Sequence, residues 1–420
     1  MSPVPAEAAK STSDVVVDRK PFAIPGFLVN AVETGMRYRG RPDLALILCE
    51  NPEGAACGGV FTKNLFEAAP VKISREHLKE SGGRVGAVLI NAGIANACTG
   101  LEGLVRAKRT ARLLAERLRL RETSVLVAST GVIGNHIKVE TIEARIPELL
   151  SNLSPDAWDL VARAIMTTDT RPKVACAEGE IDSSIIRVGG VAKGSGMIAP
   201  NMATMLAFIC TDVSIEPDTL QEILSQVTDK TFNAITVDGD TSTNDTVLVL
   251  ASCHPEGAVV GKDEPKKLEF FELLLEAVCR DLAIQIVEDG EGATKTVEIR
   301  VIGAPTRDAA MAVAKTVAQS PLVKTAIYGG DANWGRVVAA AGRAGVSFDP
   351  DRLSLYFDNL CVFKDGRPLD DEEVEKRATE IFSRPRFRIC LDLAAGSEEA
   401  TVWTCDLTHG YIDINARYRT

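Results

Sequence analysis

The sequence predicts a mixed α/β (α+β) fold, and three observations carry that reading. Short apolar runs bounded by turn residues recur along the 420 residues, as buried strands do. Segments with apolar residues at helical spacing alternate with these runs throughout. An apolar share of 45% with 25% charged residues suits a globular chain that can bury a core.

The elements follow in order. "MSPVPAEAAKSTSDVVVDRK" has no continuous apolar segment and carries scattered acids. It fits neither a signal peptide nor an acid-poor transit peptide, and reads as a short, loose tail. "DLALILCE" and "RVGAVLINAG" read as strands in a strand-rich first hundred residues. "LVRAKRTARLLAERLRL" has helical spacing with basic residues opposite. "SVLVASTGVIGN" reads as a strand entering a glycine-containing turn, and "TIEARIPELLSNL" as a helix despite Pro147. "SPDAWDLVARAIMTTDT" predicts a helix with Ser154 as N-cap, Pro155 at the first helical position and Asp156 in the first turn.

The second half alternates likewise. "EPDTLQEILSQVTDKTF" predicts a helix, "NAITVDGD" a strand and turn, and "DTVLVLASC" a strand. "PKKLEFFELLLEAVCRDLAIQIV" contains a long helix, and "TKTVEIRVIGA" alternates as a half-buried strand does. "TRDAAMAVAKTVAQS" predicts a helix, "LVKTAIYGG" a strand, and "DDEEVEKRATEIFS" a helix. Two late strands are expected at "RFRICLDLA" and "EATVWTCDL". Residues 255–267, "PEGAVVGKDEPKK", are the most linker-like stretch.

Charge and composition exclude several functions. A net charge of -11 argues against broad phosphate-backbone binding, so no nucleic-acid partner is expected. No apolar run approaches the ~18 residues that span a bilayer, so no membrane partner is expected either. Ten cysteines lie scattered with no CxxC pair, which suggests buried, reduced thiols and a cytoplasmic location. His77, His136, His254 and His409 lie far apart, without HExxH spacing, so no metal site is expected. Nucleotide loops of the GxxxxGK[ST] and GxGxxG types are missing. "DGDTSTND", residues 238–245, fails as a calcium loop at Thr243 and Val249, and reads as a polar turn.

The most informative stretch is "GGVAKGSGMIAPNMATMLAFICTD", residues 189–212. A pliable, glycine-rich half, whose one charge is Lys193, abuts a stiff apolar run from Met205 to Cys210, with Thr204 between them. Residue types alone leave two readings open: a flexible loop leading into a strand, or a reactive site. The second has a chemical logic. A threonine hydroxyl is a weak nucleophile without a base beside it. Its own α-amine, with a pKa of about 7.7–8.0 against ~10.4 for lysine, can be that base once the preceding peptide bond is cut. Ala203 and the upstream glycines would let the backbone strain toward such a cut. The run from Met205 would hold the nucleophile still.

Other candidates are weaker singly. Thr130 and Gly131 end a strand with donors that could stabilise an oxyanion. "MTTDT", residues 166–170, and "DGEGATK", residues 289–295, are polar clusters after apolar runs; either suits a plain element terminus. Glu291 stands between two glycines that permit close approach of a ligand.

Taken together, "STGVIG", "MTTDT", "KGSGMIAPNMATMLAF", "DGDTSTNDT", "QIVEDGEGATK", "YGGDANWGR" and "YIDINARYRT" resemble, in order and over nearly the whole chain, the ornithine acetyltransferase (glutamate N-acetyltransferase) family of the cyclic arginine pathway. The resemblance implies a layered αββα sandwich, similar to N-terminal-nucleophile hydrolases but differently connected, with a smaller lobe at about 295–400. It implies self-cleavage between Ala203 and Thr204 into fragments 1–203 and 204–420, which stay intertwined as an α2β2 heterotetramer. The C-terminal tail is expected to return to the active site. Thr204 becomes the N-terminal nucleophile, and Thr130 and Gly131 form the oxyanion hole. Thr167, Lys193, Thr204, Glu291, Asn415 and Thr420 contact substrate.

The implied reaction is ping-pong transfer of acetyl from N2-acetylornithine to glutamate through an acetyl-threonine intermediate. No cofactor is expected; acetyl-CoA is left open as a second acetyl donor. Two rivals stay in view: a self-cleaving aminopeptidase or amidase of the same architecture, and a non-catalytic amino-acid-binding protein.

Overall fold

The computed structural model describes residues 3–6, 11–199, 205–369 and 371–417. Within them the strands form three sheets. The first has the order Val4–Pro5, Lys173–Ile181, Ser184–Lys193, Leu206–Thr211, Thr246–Ala251, Ala55–Phe61, Arg84–Val85. The second runs Phe27–Val32, Leu44–Cys49, Ala87–Ile94, Val125–Val132.

Side-chain alternation stacks these two sheets face to face. Leu206, Phe208 and Cys210 pack with Ala45, Ile47, Val88 and Ile90 of the second sheet. Ala207 and Ile209 point the other way, into Leu220, Leu224, Phe271, Leu275 and Ile286 of the helices Pro217–Lys230 and Pro265–Glu288. Leu44, Leu46 and Leu89 face outward from the second sheet, against Ala111, Leu114, Ile142 and Ile146 of the helices Gly100–Leu118 and Val139–Ser151. The result is helix, sheet, sheet, helix, the layered αββα sandwich expected. Strands covered on both faces explain why "LAFICT" and "TVLVLA" read as unbroken apolar runs.

The third sheet builds the smaller lobe, in the order Ile235–Thr236, Glu398–Cys405, Thr296–Ala304, Arg386–Asp392, Ser354–Phe357, Leu360–Lys364, Arg367–Pro368. One face carries Val297, Ile299 and Val301 against the helices Arg307–Ala318, Pro321–Gly329, Trp334–Gly342 and Glu372–Phe382. The intervening Thr296, Glu298 and Arg300 are half-buried, hence the alternation in sequence. After Cys405 the chain runs into the helix His409–Arg417, which lies beside the main sandwich. No helix among the described residues is long and apolar enough to cross a membrane.

Several expectations are corrected. "LVKTAIYGG" is helical, not a strand: Pro321 starts the helix, Val323, Ala326 and Ile327 bury one face, and Gly330 closes it in the left-handed conformation. Ser154 caps no helix. Its backbone bridges to Val29, its hydroxyl accepts from the Asp156 N–H at 3.2 Å, and the helix starts later, at Trp158–Ala164. The N-terminal tail is not loose where described. Val4–Pro5 pair in parallel with Gly179 and Glu180, Asp18 bridges to Cys176, and Arg19 reaches Asp281 and Glu288. The linker-like stretch is pinned too, with Ala258 and Val260 buried and Val260 bonded to Ser214.

Candidate active site

Of the nine residues singled out as site residues, six lie among the described residues, and all six line one cavity of about 80 Å³: Thr130, Gly131, Thr167, Lys193, Glu291 and Asn415. Ala203, Thr204 and Thr420 lie outside the described residues.

Thr130 and Gly131 belong to the strand Val125–Val132, which pairs in parallel with Ala87–Ile94 so that Gly131 faces Gly93. Gly131 has a φ of 127°, and a Cβ there would sit 2.2 Å from the Gly93 carbonyl carbon. Only glycine lets the two backbones approach this closely. The strand end is fixed from beneath. The buried Asn244 donates its amide to the carbonyls of Ala95 (2.7 Å) and Ser129 (2.8 Å). The Lys193 ammonium donates to the Thr130 hydroxyl oxygen at 3.5 Å, which leaves the hydroxyl proton for another acceptor.

Lys193 ends the strand Ser184–Lys193 and pairs with Leu206 of the next strand. It is buried, and burial pushes its pKa down; Asp169 opposes that, Lys173 adds to it, and Glu291 and Asp245 oppose it. Asp169 lies 4.0 Å from the Lys193 ammonium. Burial drives the Asp169 carboxyl upward, but Lys173, Lys193 and the Thr167 N–H outweigh it and hold it well below the ordinary range. Its two oxygens also accept from the N–H of Gly194 (2.7 Å) and of Thr167 (3.0 Å).

Glu291 follows the helix Pro265–Glu288. Its N–H donates to the Ser195 carbonyl at 2.8 Å, and its carboxylate accepts from the Asn415 amide at 2.7 Å. A Cβ at Gly196 would fall 2.4 Å from that carboxylate, so the glycine in "KGSG" makes room for it. Thr168 shares a 2.7 Å hydroxyl contact with Ser195.

The loop "DGDTSTND" is more than a polar turn. Asp238 accepts from the N–H groups of Met197 (2.6 Å) and Ile198 (2.8 Å), and from the Tyr411 hydroxyl at 3.4 Å. Met197 is held in the left-handed region, φ 57°, a costly conformation for a non-glycine residue. Asp245 is fully buried and accepts from the Met205 N–H at 3.0 Å; burial pushes its carboxyl well up. Its other oxygen has no hydrogen-bond partner among the described residues.

Reading the sequence missed Asp169, Asp238, Asn244 and Asp245, because lone acids and amides in turns look solvated. It also missed Arg37 and Tyr38, which line the same cavity. Chemically, the cavity offers a buried cation and a buried anion for a zwitterionic ligand, with a hydroxyl and a glycine-bearing strand end beside them.

The family model that matches, described as the ArgJ family, covers residues 28–420. The arginine biosynthesis bifunctional protein ArgJ of Chlorobaculum tepidum is 48% identical over 420 residues, covering 100% of both chains. Among solved structures, the arginine biosynthesis bifunctional protein ArgJ of Bacillus halodurans is 42% identical, with 50% of this chain and 98% of that one covered and a TM-score of 0.48. The ornithine acetyltransferase of Mycobacterium tuberculosis complexed with ornithine is 34% identical, with 44% and 98% covered and a TM-score of 0.41. Matched from near its start to its last residue by the family model, and end to end by a relative at 48% identity, this chain belongs to the ArgJ family.

Proposed function

We propose that this chain is an acyltransferase that moves the acetyl group of N2-acetylornithine to glutamate by a ping-pong route, after cutting itself between Ala203 and Thr204. The observation that carries this reading is that buried Lys193 and buried Glu291 line the same cavity as Thr130 and Gly131. Both substrates carry an α-carboxylate, which one ammonium can hold in each half-reaction. Only acetylornithine adds a side-chain cation, which suits Glu291.

In the first half-reaction the Thr204 hydroxyl oxygen bonds to the acetyl carbon and its proton passes to the threonine's α-amine. The carbon–nitrogen bond breaks, and ornithine leaves with that proton. In the second, the glutamate amine attacks the ester, N-acetylglutamate forms, and the hydroxyl is restored. Thr130 and Gly131 donate to the oxyanion in both steps, each donor being worth about 3–4 kcal/mol of barrier. Thr167, Asn415 and Thr420 complete the substrate contacts. We further propose a cytoplasmic α2β2 assembly of the two fragments.

Purified protein given acetylornithine and glutamate should yield ornithine and N-acetylglutamate in equal amounts. Release of acetate in place of N-acetylglutamate would favour the aminopeptidase or amidase reading. Intact mass should show two fragments meeting at Ala203/Thr204, and one uncut chain for Thr204→Ala. Wild-type protein that stays whole yet transfers acetyl would sink the α-amine as base.

A further inference from the structure

Thr167, Lys193 and Glu291 reach the cavity from three separate chain segments, and one side chain outside the lining touches the anchors of all three. Lys173 begins the strand Lys173–Ile181 and is fully buried. Its ammonium donates to Asp169 Oδ1 at 2.6 Å and to Asp289 Oδ2 at 2.5 Å. Asp169 in turn accepts from the N–H of Thr167 and of Gly194, the residue after Lys193. Asp289 stands two residues before Glu291 and accepts from the N–H and hydroxyl of Thr170.

With Lys173 and Gly194 on one Asp169 oxygen and Thr167 on the other, only a 4.0 Å approach to Lys193 remains, too long for a hydrogen bond. We propose that Lys173 is a positioning residue: by engaging Asp169 it keeps that carboxylate from closing on Lys193, so the Lys193 ammonium stays available to a substrate carboxylate. This rests on the acetyl-transfer reading above. Without Lys173, two buried carboxylates lose their shared cation. Asp169 then closes on Lys193, which becomes an internal counter-ion.

Among the described residues, the titratable groups that act most on Lys193 are Asp169, Lys173, Glu291 and Asp245, and Lys173 is the cation among them. Its removal, together with a tighter Asp169 contact, strengthens the hold of Lys193 on its proton. Substrate binding that needs the charged lysine then survives to higher pH.

The test is steady-state kinetics on Lys173→Met and on Lys173→Met/Asp289→Asn, the latter relieving the leftover charge. KM for glutamate and for acetylornithine should each rise about tenfold in both variants, the weight of one charge-assisted contact. The kcat should change less, and the alkaline limb of kcat/KM should move to higher pH. Wild-type KM and pH limb in either folded Lys173 variant, or a rise for one substrate only, would each overturn the proposal. Wild-type enzyme that fails to acetylate glutamate is read first, and would instead overturn the acetyl-transfer reading.

Discussion

Gly131 concentrates the demands of this site on one residue. Its φ of 127° and the nearby Gly93 backbone leave no room for a side chain. Gly131→Ala should destabilise the protein by ~3 kcal/mol through strain and overlap. It should also cut kcat about 100-fold by shifting an oxyanion donor. Urea unfolding and steady-state kinetics on the same preparation would check both, and a variant with wild-type kcat would remove Gly131 from the proposed mechanism. Residues of this kind were legible in sequence, because glycine beside a hydroxyl or an acid signals close approach. Their supports were not: Lys173 and Asp289 are separated by 116 positions, and neither carries a local signature of burial.

The element that completes the cavity is the helix His409–Arg417. Thr408 donates to the Gly292 carbonyl at 2.7 Å, Tyr411 reaches Asp238, and Asn415 holds Glu291. A short helix with no buried residue of its own is thus placed by polar contacts to the two loops that shape the site. Asn415→Ala should release Glu291 and raise KM for acetylornithine severalfold, with little change for glutamate; Glu291→Gln should do the same more strongly. Equal effects on both substrates would argue against a role for Glu291 at the ornithine side chain. Elements with long apolar runs were readable from pattern. The helix Pro321–Gly329 was not, because nine residues hold too few turns to separate helical from strand spacing. Ser154 misled because a cap and a turn present the same hydroxyl.

At the scale of the molecule, buried charge ties stability to pH. The Asp169 carboxyl is held below its ordinary value in the fold. A depressed acid contributes stability that is fully present above its unfolded pKa, about 3.9, and lost as pH falls through the folded one. The gap in urea midpoint between wild type and Asp169→Asn should therefore be widest at neutral pH and narrow below about pH 4. A gap constant from neutral pH into the acid range would show that Asp169 acts through packing alone.

The strands Ser184–Lys193 and Leu206–Thr211 pair from Lys193 with Leu206 to Val188 with Thr211, on either side of the proposed cut. In the uncut chain this pairing joins strands that are near neighbours in sequence, an intramolecular step of modest entropic cost. Once that connection is severed, the same pairing from the unfolded state is an encounter of two molecules, governed by their concentration. On the proposed cut, a chain that folds first and is cut afterwards could not readily retrace its route. The persistence of such a cut form would rest on the height of the unfolding barrier more than on reversible equilibrium, and its working lifetime would be a kinetic property set when the sheet first closed.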